Sequence, residues 1–334
     1  MQVLTINLQL SLRARKLFSC AFLVFFTVST TLCIEASKRS DGTYPYNTYA
    51  IPCAAEGVKI VLSTTLLVLE RGTQSGGGPS RKILHNSFRG FPNYILPAFC
   101  YFVSNNCAFH IVEILGPSTF QITSNLKVLT TGIFMNLFLS RKLTWLQWKA
   151  LVMLAIGSMV TELHNCDVSK PELVPGQSLL QGYILVIVSA VASGAGGVFS
   201  EKLLKGKVLT NKNGTCNNVS IHWQNIQLYS FGFAFGLLSL LNSSPSGASG
   251  AFSTGIFDGF NTFACATVAS LAVSGLLVSF ILKYIESVAK CFCAALSMVF
   301  VSVLDCITKN EAIPLCTLIG MVLTVLALEQ FNLS

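Results

Sequence analysis

Lys127 is the single charged residue in the stretch from residue 117 to residue 139. An ammonium near mid-membrane costs roughly 2.5–3.5 kcal/mol on insertion scales, and it persists where it is paired or lines a wet cavity. Gln121, Thr123, Ser124, Asn125, Thr130 and Thr131 are its polar neighbours in sequence. The stretch is therefore expected to face hydrated space, where Lys127 either meets an anionic ligand or is a buried lysine held by helix carbonyls. Asn105 and Asn106 are adjacent amides midway along another apolar stretch. Buried amides need partners, so these bond either a ligand or a neighbouring span. Glu56 and Lys59 are three residues apart and share one helix face; they form either a self-neutralised pair or part of a site. Asn225, Gln227 and Tyr229 open a further apolar stretch. Lys283 and Lys290 flank a short connection, where they either anchor the chain at the membrane surface or form a basic mouth for an anion. All of this is binding chemistry: fixed positive charge for phosphate or carboxylate, and amides for hydrogen-bonding groups. HExxH, GxSxG, paired intramembrane carboxylates and clustered histidines are all missing from the sequence. The chain is expected not to be an enzyme and to need no metal or cofactor.

These residues must be positioned by membrane helices. Of 334 residues, 11% are charged and 52% apolar, and the mean hydropathy is +0.64. Soluble domains carry about 25% charged residues, so a soluble globule and a disordered chain are excluded. The net charge of +8 is divided among apolar runs, unlike the single basic stripe of a nucleic-acid binder. Ten apolar segments can be marked, near 17–34, 48–69, 92–113, 117–139, 146–163, 178–200, 224–241, 263–282, 287–305 and 313–330. The fold class expected is an all-α polytopic membrane protein with ten transmembrane helices. Gly232 and Gly236 form a GxxxG pair suited to close helix packing. Arg13, Arg15 and Lys16 precede a first run that is long for a signal peptide and lacks a cleavage site, so it is expected to be a signal anchor. With the N-terminus in the cytoplasm, sixteen of the 22 Lys and Arg fall on the cytoplasmic side and four opposite, with Lys59 and Lys127 inside spans. That is a strong positive-inside asymmetry, and ten spans then place both termini in the cytoplasm. The stretch from His164 to Gln177 divides the chain into halves 1–165 and 166–334 with five spans each. An odd number per half gives opposite orientations, the arithmetic of an inverted repeat. The twelve cysteines lack any CxxC spacing and read as small buried hydrophobes. Sequons at Asn213, Asn218 and Asn332 fall on the cytoplasmic side and are expected to be bare, whereas that at Asn242 is lumenal and close to the membrane.

Several motifs, in one order and spacing over about residues 15 to 330, resemble the nucleotide-sugar transporter family. They are Ser104-Asn105-Asn106, Ser124-Asn125-Leu126-Lys127, Ser193-Gly194-Ala195-Gly196-Gly197 through Glu201-Lys202, Trp223-Gln224-Asn225-Ile226-Gln227-Leu228-Tyr229, and Leu282-Lys283-Tyr284. The pattern is similar to the branch of CMP-sialic acid and UDP-galactose transporters, the plant and algal members above all. The resemblance implies two inverted five-helix repeats and exchange of a cytosolic nucleotide sugar for a lumenal nucleoside monophosphate at the Golgi membrane. It implies nucleotide contacts at Asn106 and Tyr229, and Lys127 at the ribose or phosphate. Ser193 and Gly194 would lie against the base and Asn225 at its edge. Lys283 would sit by the phosphate or sugar, with Glu56 and Lys59 on the sugar-side path. Two tyrosines of mammalian members are replaced by Phe120 and Ser124, which bears on the choice between CMP and UDP cargo. A homodimer is left open. The competing readings are a carrier of another organic anion, such as a sugar phosphate, and a non-transporting membrane scaffold or trafficking regulator.

Overall fold

The computed structural model describes residues 2–39, 44–73, 91–115, 117–163, 179–206, 209–210, 216–217, 220–242, 257–308, 310 and 312–333. The sequons at Asn213 and Asn218, most of the loop at 71–90, part of that at 202–222 and the whole dividing stretch 164–177 lie outside them. The chain is built from helices α1 (Gln2–Ala36), α2 (Ala50–Thr73), α3 (Ile95–Leu115, entered by a 3-10 turn at Phe91–Tyr94), α4 (Pro117–Ser124), α5 (Leu126–Phe138) and α6 (Trp145–Glu162). The series continues with α7 (Leu179–Leu204), α8 (Ile221–Asn242), α9 (Thr262–Tyr284), α10 (Ser287–Thr308) and α11 (Leu315–Leu333). A two-residue antiparallel pair, β1 (Leu209–Thr210) with β2 (Cys216–Asn217), lies between α7 and α8. Among the described residues, seven helices are long and apolar enough to cross a membrane. The protein is a helical, multi-pass membrane protein.

Every apolar segment marked in the sequence coincides with helix, but the fourth is broken. Where one helix was expected over 117–139, α4 stops at Ser124 and α5 starts at Leu126, with Asn125 between them. The cause is local competition for carbonyls. Thr123 Oγ1 donates to the Thr119 carbonyl at 2.7 Å and to that of Phe120 at 3.2 Å, while the Asn125 N–H bonds Ile122 O at 3.3 Å. Hydroxyl back-bonding and a bond to the third residue back tighten the last turn and interrupt the ladder.

Elsewhere the ends are capped by side chains. Thr144 and Gln147 form a reciprocal capping box at the head of α6, with bonds of 3.2 and 3.1 Å. Asn261 accepts from the Ala264 N–H at 2.8 Å to start α9, and its amide donates to Ser37 O at 2.9 Å just beyond α1.

The chain forms two compact units, each drawing on both sequence halves. Unit 1 is Met1–Phe99 with Ser200–Ile285. In it α1 packs on α9, and α2 packs on α8 and α9. The GxxxG pair lies at the α2–α8 contact: a Cβ on Gly232 would sit 3.0 Å from Glu56 Oε2, and one on Gly236 3.5 Å from Cys53 Cα. Unit 2 is Cys100–Phe199 with Glu286–Ser334. Its tightest seam is α6 against α11, where a Cβ on Gly157 would lie 2.9 Å from Leu323 Cβ. Its core joins Val128, Met135, Leu151, Leu154, Val198, Val288 and Phe292. Among the described residues the cysteines are free thiols, and half of them are buried.

Candidate functional site

The sequence-predicted residues fall into two groups, one in each unit. In unit 2, α3, α4, α5 and α7 enclose a cavity of about 180 Å³. Asn105, Phe120, Ser124, Lys127 and Ser193 all line it, together with Ser104, Thr123 and Ser189. Drug-sized ligands occupy sites of about 300–1,000 Å³, so this cavity has room for only a portion of one. Lys127 enters at the second position of α5, immediately after the break. A discontinuous membrane helix whose new N-terminus meets a polar cavity is a recurring way of presenting positive charge to an anionic substrate. Among the described residues Lys127 has no carboxylate partner, and neither α4 nor α5 carries an acid in its first turn.

The walls are fixed by interhelical bonds. Ser104 and Ser189 share hydroxyls at 3.1 Å, and Ser189 Oγ also donates to Ser104 O at 3.3 Å. Thr130 Oγ1 donates across to Ala190 O at 2.7 Å. Gly194 is packed against α5: a Cβ there would lie 2.5 Å from Thr130 Oγ1 and 2.9 Å from the Thr131 nitrogen. Gly194 thus lets α5 and α7 approach closely enough for Lys127 and Ser193 to share one cavity. Asn105 is exposed to the cavity, whereas Asn106 turns its Nδ2 back to Phe102 O at 2.8 Å.

In unit 1, Lys59 donates to Glu56 Oε1 at 2.7 Å, and its ammonium stands 5.2 Å from the centre of the Tyr229 ring. The Tyr229 hydroxyl is bonded to Ser279 Oγ at 2.7 Å and donates to Gly275 O at 3.0 Å. Gly275 leaves no room for a Cβ beside the Lys59 stem. α2, α8 and α9 therefore converge on one charge pair with an aromatic face.

Lys283, near the end of α9, is half-buried and donates to Gln224 Oε1 at 2.9 Å. Gln224 is 5% exposed, and its Nε2 donates to Leu203 O at 3.1 Å at the end of α7. Sequence reasoning singled out Asn225 and missed its neighbour, because nothing in a run of polar residues shows which amide faces a helix end. Asn225 is 2% exposed, and its Oδ1 has no hydrogen-bond partner among the described residues. A buried acceptor in that state is completed by a donor from a ligand or water.

Residues 12–332 match the family model described as "Nucleotide-sugar transporter". CMP-sialic acid transporter 1 of Oryza sativa subsp. japonica is 33% identical over 300 residues, covering 88% of this chain and 87% of that one. CMP-sialic acid transporter 1 of Arabidopsis thaliana is 30% identical over 314 residues, covering 93% and 88%. The UDP-galactose translocator of Mus musculus is 30% identical over 297 residues, covering 87% and 71%. A solved crystal structure superposes with a TM-score of 0.65 at 12% identity, covering 96% of this chain and 97% of that one, which shows a shared fold. A lysine in a polar cavity, seven helices among the described residues that are long and apolar enough to cross a membrane, and a match over residues 12–332 converge, and the chain belongs to the nucleotide-sugar transporter family.

Proposed function

We propose that the protein exchanges a cytosolic nucleotide sugar for a lumenal nucleoside monophosphate across the Golgi membrane by alternating access. CMP-sialic acid or a close analogue is the first choice of cargo, and a UDP-sugar such as UDP-galactose the second. The observation that carries this reading is Lys127, a cation with no carboxylate partner among the described residues, held in a polar cavity beside a helix break. The phosphate is the portion of the cargo that such a lysine neutralises. Phe120 supplies an aromatic face in the same cavity, and Asn105, Ser124 and Ser193 supply hydrogen bonds. Asn225 offers a buried acceptor for a base amino group. Glu56, Lys59, Tyr229 and Lys283 serve the sugar and phosphate path. Ten spans arranged as inverted repeats 1–165 and 166–334, with both termini cytoplasmic, complete the reading; internal repetition of this kind is compatible with compact units that each draw on both halves.

The deciding experiment is thermal unfolding of the purified protein with CMP, UMP, GMP and AMP. A ligand specific to the folded state at a hundred times its dissociation constant adds about 2.7 kcal/mol. Stabilisation by CMP alone selects CMP-sugar cargo, and by UMP alone a UDP-sugar. Failure of all four overturns the nucleotide-exchange reading in favour of a scaffold.

A further inference from the structure

The outward face of α6 holds a groove that the cargo site leaves unused. Its wall includes Trp145, Trp148, Lys149, Val152 and Ile156 of α6 and Leu323 of α11, around a volume of about 380 Å³. The α6 residues follow the i, i+3, i+4, i+7, i+11 spacing of one helix face. The opposite face, with Ala150, Leu151, Leu154 and Gly157, is buried in unit 2. Two contacts shape the groove. Beyond Ile156 the helices α6 and α11 close tightly, since a Cβ on Gly320 would lie 2.6 Å from Gly157 O. At the back, the Trp148 ring lies on Gly132 of α5, where a Cβ would stand 3.4 Å from it. Trp145, Val152 and Ile156 are exposed at the front. Lys149 is the one charged side chain among the described residues of the wall, and its ammonium stands 5.5 Å from the centre of the Trp145 ring. None of the described carboxylates pairs with it.

The dimensions and the charge are those a phospholipid requires. From Trp145 to Ile156 the face rises about 16 Å at 1.5 Å per residue, and one leaflet's share of a hydrocarbon layer about 30 Å thick is about 15 Å. Tryptophan at one end of such a face belongs at the level of the headgroups. The cation beside it matches a phosphate, and the apolar remainder matches an acyl chain. A zwitterionic choline headgroup brings its own cation to compete with Lys149, whereas a net anionic headgroup leaves charge to be neutralised. We propose that this groove is a binding site for an anionic glycerophospholipid, with the headgroup at Lys149 and Trp145 and one acyl chain lying along Val152 and Ile156 as far as the Gly157–Gly320 closure. The site rests on α6 crossing the membrane from the cytoplasmic side, as in the reading above, where the leaflet is the negatively charged one; it does not depend on the identity of the cargo.

The test is fluorescence quenching by brominated lipid. The chain has three tryptophans, so in a Trp223→Phe background the emission reports Trp145 and Trp148 alone. The full chain is reconstituted into phosphatidylcholine vesicles that contain a minor fraction of either dibrominated phosphatidylserine or dibrominated phosphatidylcholine. The brominated phosphatidylserine is expected to quench with about a fivefold preference, the scale of one lysine at an anionic surface. Lys149→Gln should remove that preference, and Lys149→Arg should keep it. Val152→Phe, which fills the groove, should weaken quenching by both lipids. Unfolding midpoints report any damage to the fold. Wild type, with Trp223 as a background common to both lipids, serves if Trp223→Phe lowers the midpoint. Equal quenching by the two lipids overturns the anionic assignment, and so does an undiminished preference in Lys149→Gln. Quenching by neither overturns the site altogether: a dimer in light scattering then gives the face to a second copy of the chain, and a monomer shows that this face of α6 does not meet lipid. No arm uses a nucleotide, so failure of the exchange reading is seen separately, as failure of CMP and UMP to stabilise the same protein.

Discussion

Lys59 and Glu56 meet at 2.7 Å one helical turn apart on α2, with the face of Tyr229 closing over the ammonium at 5.2 Å. Their side chains are 14% and 24% exposed, so neither charge is well solvated. Removing one partner strands the other. Glu56→Gln and Lys59→Met are each expected to destabilise the protein by about 1–3 kcal/mol, the cost of an uncompensated charge. The double variant should recover much of that loss in a thermal double-mutant cycle. If the double variant also exchanges nucleotides at the wild-type rate in proteoliposomes, the pair is structural and has no place in the cargo path.

Lys127→Ala separates function from stability in the opposite way. The side chain has no carboxylate to strand among the described residues, and deleting an intramembrane charge removes a desolvation cost. The unfolding midpoint should hold or rise. Exchange should fall by about a hundredfold or more, as expected for loss of a charge-assisted bond worth up to about 3 kcal/mol. Wild-type exchange by this variant would remove Lys127 from the mechanism.

Gly194→Ala tests the seam between α5 and α7. Its new methyl would collide with Thr130 Oγ1 at 2.5 Å and with the Thr131 nitrogen at 2.9 Å. Overpacking of this kind costs about 1–3 kcal/mol. Thr130→Ala removes only the first obstacle, so the pair of changes should remain destabilised in an unfolding scan. Full recovery in the double variant would show that the hydroxyl alone, and not the backbone of α5, sets the spacing.

Gln224→Ala should cost about 1–3 kcal/mol, because it removes the amide bonds to Leu203 O, which keeps the Gly206 N–H at 3.2 Å, and to the Lys283 ammonium. Gln224→Glu keeps the acceptor for Lys283 but loses the donor to Leu203. It should therefore hold Lys283 while still lowering the unfolding midpoint. A midpoint equal to wild type in both variants would show that water replaces the amide at no cost.

The helices were legible because apolar runs and loop charges are written in composition, which survives without any knowledge of neighbours. Lys127, Asn105 and Ser124 were legible as candidates because polar groups are conspicuous in apolar stretches, whereas Phe120 and Ser193 were reached only through the resemblance of their motifs. Their meeting in one cavity was not legible, since Asn105 and Ser193 lie 88 positions apart in the chain. The break at Asn125 was missed because it depends on which carbonyl Thr123 selects, a choice among rotamers that hydropathy does not register. The packing of Gly194 on Thr130 was not legible, because the motif does not show which helix lies beside it. Gln224 and Ser279 were hidden because their partners, Leu203 and Tyr229, come from other helices.

The interruption at Asn125 has a consequence for biogenesis. At about 1.5 Å per residue, the eight residues of α4 and the thirteen of α5 each fall short of a hydrocarbon layer about 30 Å thick. The segment also carries Lys127 near its middle. During synthesis it emerges from the ribosome before α6, α7 and α10 exist to shield that charge. Its integration by the translocon is expected to wait for those later helices, so a nascent chain truncated near residue 140 should leave 117–139 outside the lipid while the longer chain takes it in.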